Sequence, residues 1–184
     1  MLQEYRFKIL GVTPLLMHAP TAMGSNGSSP KRKEVPPPEE EAERGAYRTP
    51  EGYLCFPAIA FRNAALKVAG QYRSGKKSYK SLLAHIRTAD EFVIMRHPET
   101  WEPLTSYAID TRRAVVQGQG VIRARPRLDA WACEVGLLGD DEIGVRDMDK
   151  VLLQFLNEAG GTIGVGDFRL EKGGWFGLFR AELA

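Results

Sequence analysis

The chain has 184 residues, 43% of them hydrophobic, which is enough to bury one sizeable core and short for two of ordinary size. Lys and Arg number 25 against 23 Asp and Glu, so the net charge of +2 identifies no polyanionic partner by itself, and only the distribution of charge can inform. No uncharged run approaches the length needed to cross a bilayer, which argues against a membrane partner.

The N-terminus alternates Tyr5, Phe7 and Ile9 with Glu4, Arg6 and Lys8, the period of a strand with one buried face, and fits neither a signal-peptide core nor a transit peptide. A cytoplasmic location is therefore expected. From Ala19 to Pro50 the composition turns to Gly, Ser, Pro and charge, with Gly24 to Pro30, the basic Lys31-Arg32-Lys33 and the triple proline Pro36 to Pro38. This reads as a long insertion outside the core. Inside it, Glu39, Glu40, Glu41 and Glu43 after Pro38 predict a short helix with acids at its positive end, finished by Gly45.

Tyr53 to Phe56 reads as a strand, and Pro57 suits the first position of a following helix. Phe61, Ala65, Val68 and Tyr72 form the apolar stripe of that helix, with Arg62 and Arg73 on a neighbouring face. A second helix carries Tyr79, Leu82, Leu83 and Ile86. Strands are expected at Phe92 to Met95, near Tyr107 to Val116, and at Leu128 to Leu137, where Trp131, Cys133, Val135 and Leu137 share a face. The last helix is marked by Met148, Val151, Leu152, Phe155 and Leu156, with Gly160-Gly161 as its stop. A final strand, Trp175 to Leu183, follows. The order matches the β-α-β-β-α-β series of an α+β, ferredoxin-like (RRM-like) core with an insertion after the first strand, in one domain spanning residues 1–184 with 19–50 as the insertion.

Cys55 and Cys133 belong to no CxxC or His/Cys cluster and read as reduced core residues. No metal or cofactor is expected. The glycines Gly161, Gly164 and Gly166 lack the strand-before, helix-after context of a dinucleotide fingerprint, and Gly24 to Lys31 lacks the Gly-Lys-Ser/Thr ending of a phosphate loop. Of the histidines His18, His85 and His97, only His18, beside the glycine-rich insertion, is placed as a general base for RNA cleavage would be, the alternative being a loop-lining histidine.

Charge is segregated. No acid lies between Gly52 and Ala89, a stretch holding Arg62, Lys67, Arg73, Lys76, Lys77, Lys80 and Arg87. None lies between Asp110 and Asp129 either, where Arg112, Arg113, Arg123, Arg125 and Arg127 surround Gln117-Gly118-Gln119-Gly120. Phosphate binding depends on the local field and on counterion release, and arginine can both fork a phosphate and stack on a base. These runs predict a basic face for nucleic acid; the alternative is solvated strand ends and a hairpin tip. The late glycine-rich run adds Arg169 as a candidate phosphate contact, with a bulged strand as the alternative.

Val12-Thr13-Pro14-Leu15-Leu16-Met17-His18, the stretch Tyr53 to Arg62 entering a basic helix, and the late glycine-rich loop together resemble the RAMP superfamily, in particular the RNA-binding backbone subunits of CRISPR effector complexes. The Pro-Leu-Leu-Met-His phrase is also similar to uncharacterised prophage proteins. The resemblance implies a ferredoxin-like core, copies of the chain assembled along a guide RNA with other complex subunits, and Arg62 as the helical phosphate contact. It departs from the family's Gly-Ser-Ser after the proline, where this chain has Ala58-Ile59-Ala60. The expected function is non-catalytic binding of single-stranded RNA or DNA by a self-associating subunit; a metal-independent RNA endonuclease and a structural phage protein are the rivals.

Overall fold

The structure is a computed structural model that describes residues 2–20, 36–116, 119–140 and 145–184, giving the backbone alone for 114–116 and 119. In chain order the elements are β1 (Leu2–Gly11), β2 (Leu15–Leu16), α1 (Pro38–Gly45), β3 (Cys55–Pro57), α2 (Ile59–Ala69), β4 (Arg73–Ser74), β5 (Lys77–Ser78), α3 (Tyr79–Leu82), β6 (Arg87–Thr88), β7 (Phe92–Ile94), β8 (Ala108–Val116), β9 (Gln119–Leu128), β10 (Ala132–Asp140), α4 (Met148–Thr162) and β11 (Phe179–Leu183). The chain is α+β, with antiparallel sheets and the two longest helices packed on each other.

The principal sheet has the order β11-β1-β10-β6, every neighbour antiparallel. Its register sets Tyr5, Phe7 and Ile9 opposite Leu137, Val135 and Cys133, so both sets of apolar side chains share the face that the helices cover. The intervening Arg6 stays on the wet face and pairs with Glu134 at 2.6 Å. Phe61 of α2 brings the layers together, its ring edge-on to Phe179 at 5.4 Å and tilted against the buried Trp131 at 6.4 Å. Trp131 completes its hydrogen bonding by donating Nε1–H to the Thr13 carbonyl at 2.8 Å.

A second sheet, β2-β9-β8, is a long hairpin with a short strand at its base. The remaining ladders, β3 with β7 and β4 with β5, have two strands each.

Several expectations change in detail. α2 ends at Ala69, so Tyr72 leaves the helix and Arg73 lies in β4 instead of sharing a helical face with Arg62. Tyr72 nevertheless sits against Phe155 at 5.5 Å, as Tyr79 does at 5.4 Å, so the apolar spacing marked a real contact made from a turn. α3 is a single turn, with Leu83 and Ile86 buried beyond it. α4 runs through Gly160-Gly161 to Thr162, because Gly160 serves close packing and not termination: a Cβ there would lie 2.0 Å from the Phe179 carbonyl oxygen. The strand expected at Leu128 to Leu137 is divided between two: Leu128 ends β9, an unexpected strand that carries Arg123, Arg125 and Arg127, and β10 begins at Ala132; the last strand begins at Phe179.

Of the insertion, Gly24 to Pro30 and Lys31 to Lys33 lie outside the described residues, as do Gln117 and Gly118. The part from residue 36 onward is not outside the core. Ala42 of α1 is fully buried, and Glu41 is 6% exposed against β9. Both cysteines are buried free thiols, and burial pushes the Cys133 thiol up. No helix among the described residues is long and apolar enough to cross a membrane.

Candidate nucleic-acid interface

The β8–β9 ladder sets Asp110 opposite Arg125, Arg112 opposite Arg123 and Ala108 opposite Arg127, so these side chains share one face. Arg113 points to the other. The shared face lies under the late glycine-rich segment: the Arg112 guanidinium is 4.5 Å from the Phe176 ring centre, and that of Arg125 is 4.8 Å from Phe168. Each of these arginines then meets a carboxylate. Arg112 pairs with Asp110, Arg123 with Glu41 at 2.8 Å, Arg125 with Asp167, and Arg127 with Asp129 at 2.8 Å and Asp110 at 3.6 Å.

The fold thus builds an ion-paired layer where the acid-free stretch 111–128 predicts an open arginine strip, because acids remote in the chain return to it. Arg123, Arg125, Arg127 and Arg112 are partly or fully covered, whereas Arg113 is exposed and meets no carboxylate among the described residues. Glu41 also accepts the Ala124 backbone N–H at 2.9 Å, and so closes the edge of β9 that β2 leaves uncovered. Hydrogen bonding from Arg112 first, against the cost of burial, holds the Asp110 carboxyl below its usual range.

Asp167 is the hub of this layer. Its Oδ2 accepts from Arg125 and lies 3.3 Å from Nδ1 of His18, and its Oδ1 accepts the Phe168 N–H at 3.0 Å. Burial opposes ionisation, but the His18 hydrogen bond, the Arg125 charge and the Phe168 N–H outweigh it and push the carboxyl down to about 2. His18 itself follows β2 and keeps 31% of its side chain exposed. His97 instead closes a local turn, where its Nδ1 accepts from the Glu99 and Thr100 N–H groups.

Between α2 and the glycine-rich segment lies a cavity of about 370 Å³, lined by Asn63, Lys67, Gly164, Gly166, Arg169 and Lys172 among others. Gly166 takes φ +80°, and a Cβ on it would meet the Leu16 carbonyl oxygen at 2.5 Å, so only glycine allows the segment to lie this close to β2. Arg169 is not free: it pairs with Glu171 at 3.1 Å and donates to the Gly166 carbonyl at 3.2 Å, while Lys67 pairs with the same Glu171.

Arg62 uses its fork on the fold. Nε donates to the Ile86 carbonyl at 2.5 Å, Nη2 to that of Ala84 at 3.1 Å, and Nη1 to Asn63 Oδ1 at 3.0 Å, which ties α2 to the chain entering β6. The cations beyond it are different. Arg73, Lys76, Lys77, Lys80 and Arg87 are exposed and meet no carboxylate among the described residues. Three of them sit on the β4–β5 hairpin, whose turn needs Gly75 at φ +61°. The stem of Lys80 lies against Gly70 just past α2, so hairpin, α3 and the end of α2 form one surface.

Sequence reasoning missed Glu41 and Asp167 as partners of β9, and no local pattern announces them. No protein-family model matches the chain, and no curated protein matches it.

Proposed function

We propose that the protein binds single-stranded nucleic acid, RNA before DNA, without cleaving it, through the basic layer built by β4, β5, α3 and β6, as a subunit of a ribonucleoprotein or phage-encoded complex. The observation that carries this reading is the set of exposed cations Arg73, Lys76, Lys77, Lys80 and Arg87, which come from a stretch with no acidic residue and stay without carboxylate partners among the described residues. An unpaired surface cation carries counterions that a phosphate can release, whereas one already paired has little left to release. A ferredoxin-like core of RAMP type is part of the proposal, supported by the antiparallel order β11-β1-β10-β6 with α2 and α4 as the two crossovers.

The test is a titration of labelled single strands at several salt concentrations. Wild type should show a steep dependence, and replacing Arg73, Lys76, Lys77 and Lys80 with Ala should flatten the log–log slope by about 3 if each meets one phosphate. Replacing Arg123, Arg125 and Arg127 should leave the slope nearly unchanged. A flat wild-type dependence, or the reverse ranking of the two variants, refutes the assignment.

One observation favours RNA cleavage as a second reading. With its Nδ1–H donated to Asp167, His18 would keep Nε2 as the acceptor that a general base requires. Cleavage that survives a chelator and vanishes in His18→Ala would carry this reading; an intact strand after long incubation would remove it.

A further inference from the structure

Arg125 is enclosed, at 7% exposure, and its neighbours account for only part of its guanidinium. Nε donates to Asp167, and the guanidinium lies 4.8 Å from the Phe168 ring centre. Nη1 is buried and has no hydrogen-bond partner among the described residues. A buried donor on a charged group is rarely left in that condition, because it gives up hydration and receives nothing in return. Arg125 also lines a small cavity at the edge of β9, whose other walls are His18, Glu41, Gly45, Arg123 and Ala124. The volume is about 10 Å³, which matches the roughly 10–15 Å³ of free space that one water needs.

We infer that this cavity is a binding site for a single water molecule, which accepts from Arg125 Nη1 and donates to His18 and Glu41. The water would join β9, α1 and the segment after β2 in one hydrogen-bonded network, with the three or so polar partners that a buried water usually has. Both acceptors are in place. With its Nδ1–H on Asp167, His18 has Nε2 as its acceptor, and the Glu41 carboxylate, which receives Arg123 at 2.8 Å and the Ala124 N–H at 2.9 Å, has lone pairs to spare. The charges around the cavity decide against an ion as occupant, since Arg125 is matched by Asp167 and Arg123 by Glu41. A halide would bring an uncompensated charge into a buried place and is larger than the space. The site uses none of the cations of the β4–β5 hairpin, so its fate is separate from that of strand binding.

The experiment is a crystal structure of the full chain, grown in bromide and at a resolution where ordered waters are visible. One density peak should lie about 2.7–3.2 Å from Arg125 Nη1, within reach of His18 Nε2 and Glu41, and should carry no anomalous bromine signal. The double variant Asp167→Asn, Arg125→Met loses the donor without orphaning a charge, and should lack the peak. In solution, wild type should show cross-relaxation between water and the Arg125 Nη1 protons with the sign of a long-lived bound water. An empty cavity, a bromide in it, Nη1 bonded directly to a protein acceptor, a peak that persists without Arg125, or cross-relaxation of fast-exchanging solvent alone overturns the inference.

Discussion

Replacing Asp167 with Asn removes the negative charge that Arg125, His18 and the Phe168 N–H all address, and leaves the Arg125 guanidinium, 9% exposed, without a counter-charge. Orphaning one member of a buried ion pair costs roughly 3–5 kcal/mol, and the 32% exposure of Asp167 lowers that toward about 2–4 kcal/mol. The carboxyl, pushed down to about 2 from an ordinary 3.8, gives a second route to the figure: about 2 kcal/mol at neutral pH by proton linkage. In a chain of this size that is a fall in Tm of about 5–15 °C. Because the folded-state value is depressed, the stabilisation is present above the unfolded value near 4 and disappears as pH falls toward about 2. The assay is urea unfolding of wild type and Asp167→Asn at pH 7, repeated at descending pH. The gap should hold from about pH 7 to 5 and narrow below about 4. Adding Arg125→Met to the Asn variant should recover part of the loss by removing the orphaned charge. A variant within about 0.5 kcal/mol of wild type at pH 7, or a double variant no more stable than Asp167→Asn, refutes the hub.

Adjacent glycines in α4 should answer in opposite directions. Gly160→Ala drives a Cβ to 2.0 Å from the Phe179 carbonyl oxygen and should cost about 2 kcal/mol or more, whereas Gly161→Ala meets nothing within 4 Å and should stabilise by up to about 1 kcal/mol in thermal unfolding. Glu41→Gln keeps the shape of the contact but removes the charge facing Arg123, and should loosen α1 by about 1–2 kcal/mol, read as faster proteolysis in α1 with the rest of the chain still protected.

What was readable in the sequence is what periodicity records. The alternation from Glu4 to Ile9 gave β1 its buried face, and the Met148 to Leu156 spacing gave α4, because each pattern is written within a few residues of the element it forms. The boundary of α2 was misread for a physical reason. Tyr72 keeps the helical spacing, yet it reaches Phe155 from a turn, so an apolar contact alone does not reveal the backbone that delivers it. The charges of the site were harder still. Arg123 finds Glu41 across 82 positions, Arg125 finds Asp167 across 42, and His18 finds Asp167 across 149. A scan for acids near each arginine is blind to such partners, since they arrive only when α1 and the glycine-rich segment close on β9.

That closure separates two sets of basic residues that look alike in primary order. On β8 and β9, Arg112 and Arg125 are stacked on Phe176 and Phe168, and these two with Arg123 and Arg127 are locked to carboxylates, so a phosphate reaching Arg125 would have to displace an Asp167 whose ionised form is held by three donors. The exchange returns one ion pair for another and also deprives Asp167 of its buried partner, Arg125, which leaves little driving force. On the β4–β5 hairpin and α3 a phosphate displaces only counterions and water, and each contact gains the entropy of their release. Two acid-free runs of similar composition therefore end in different places: Arg112, Arg123, Arg125 and Arg127 tie the hairpin to the core through carboxylates, whereas Arg73, Lys76, Lys77, Lys80 and Arg87 stay exposed with no carboxylate among the described residues, which is the difference the proposed function rests on.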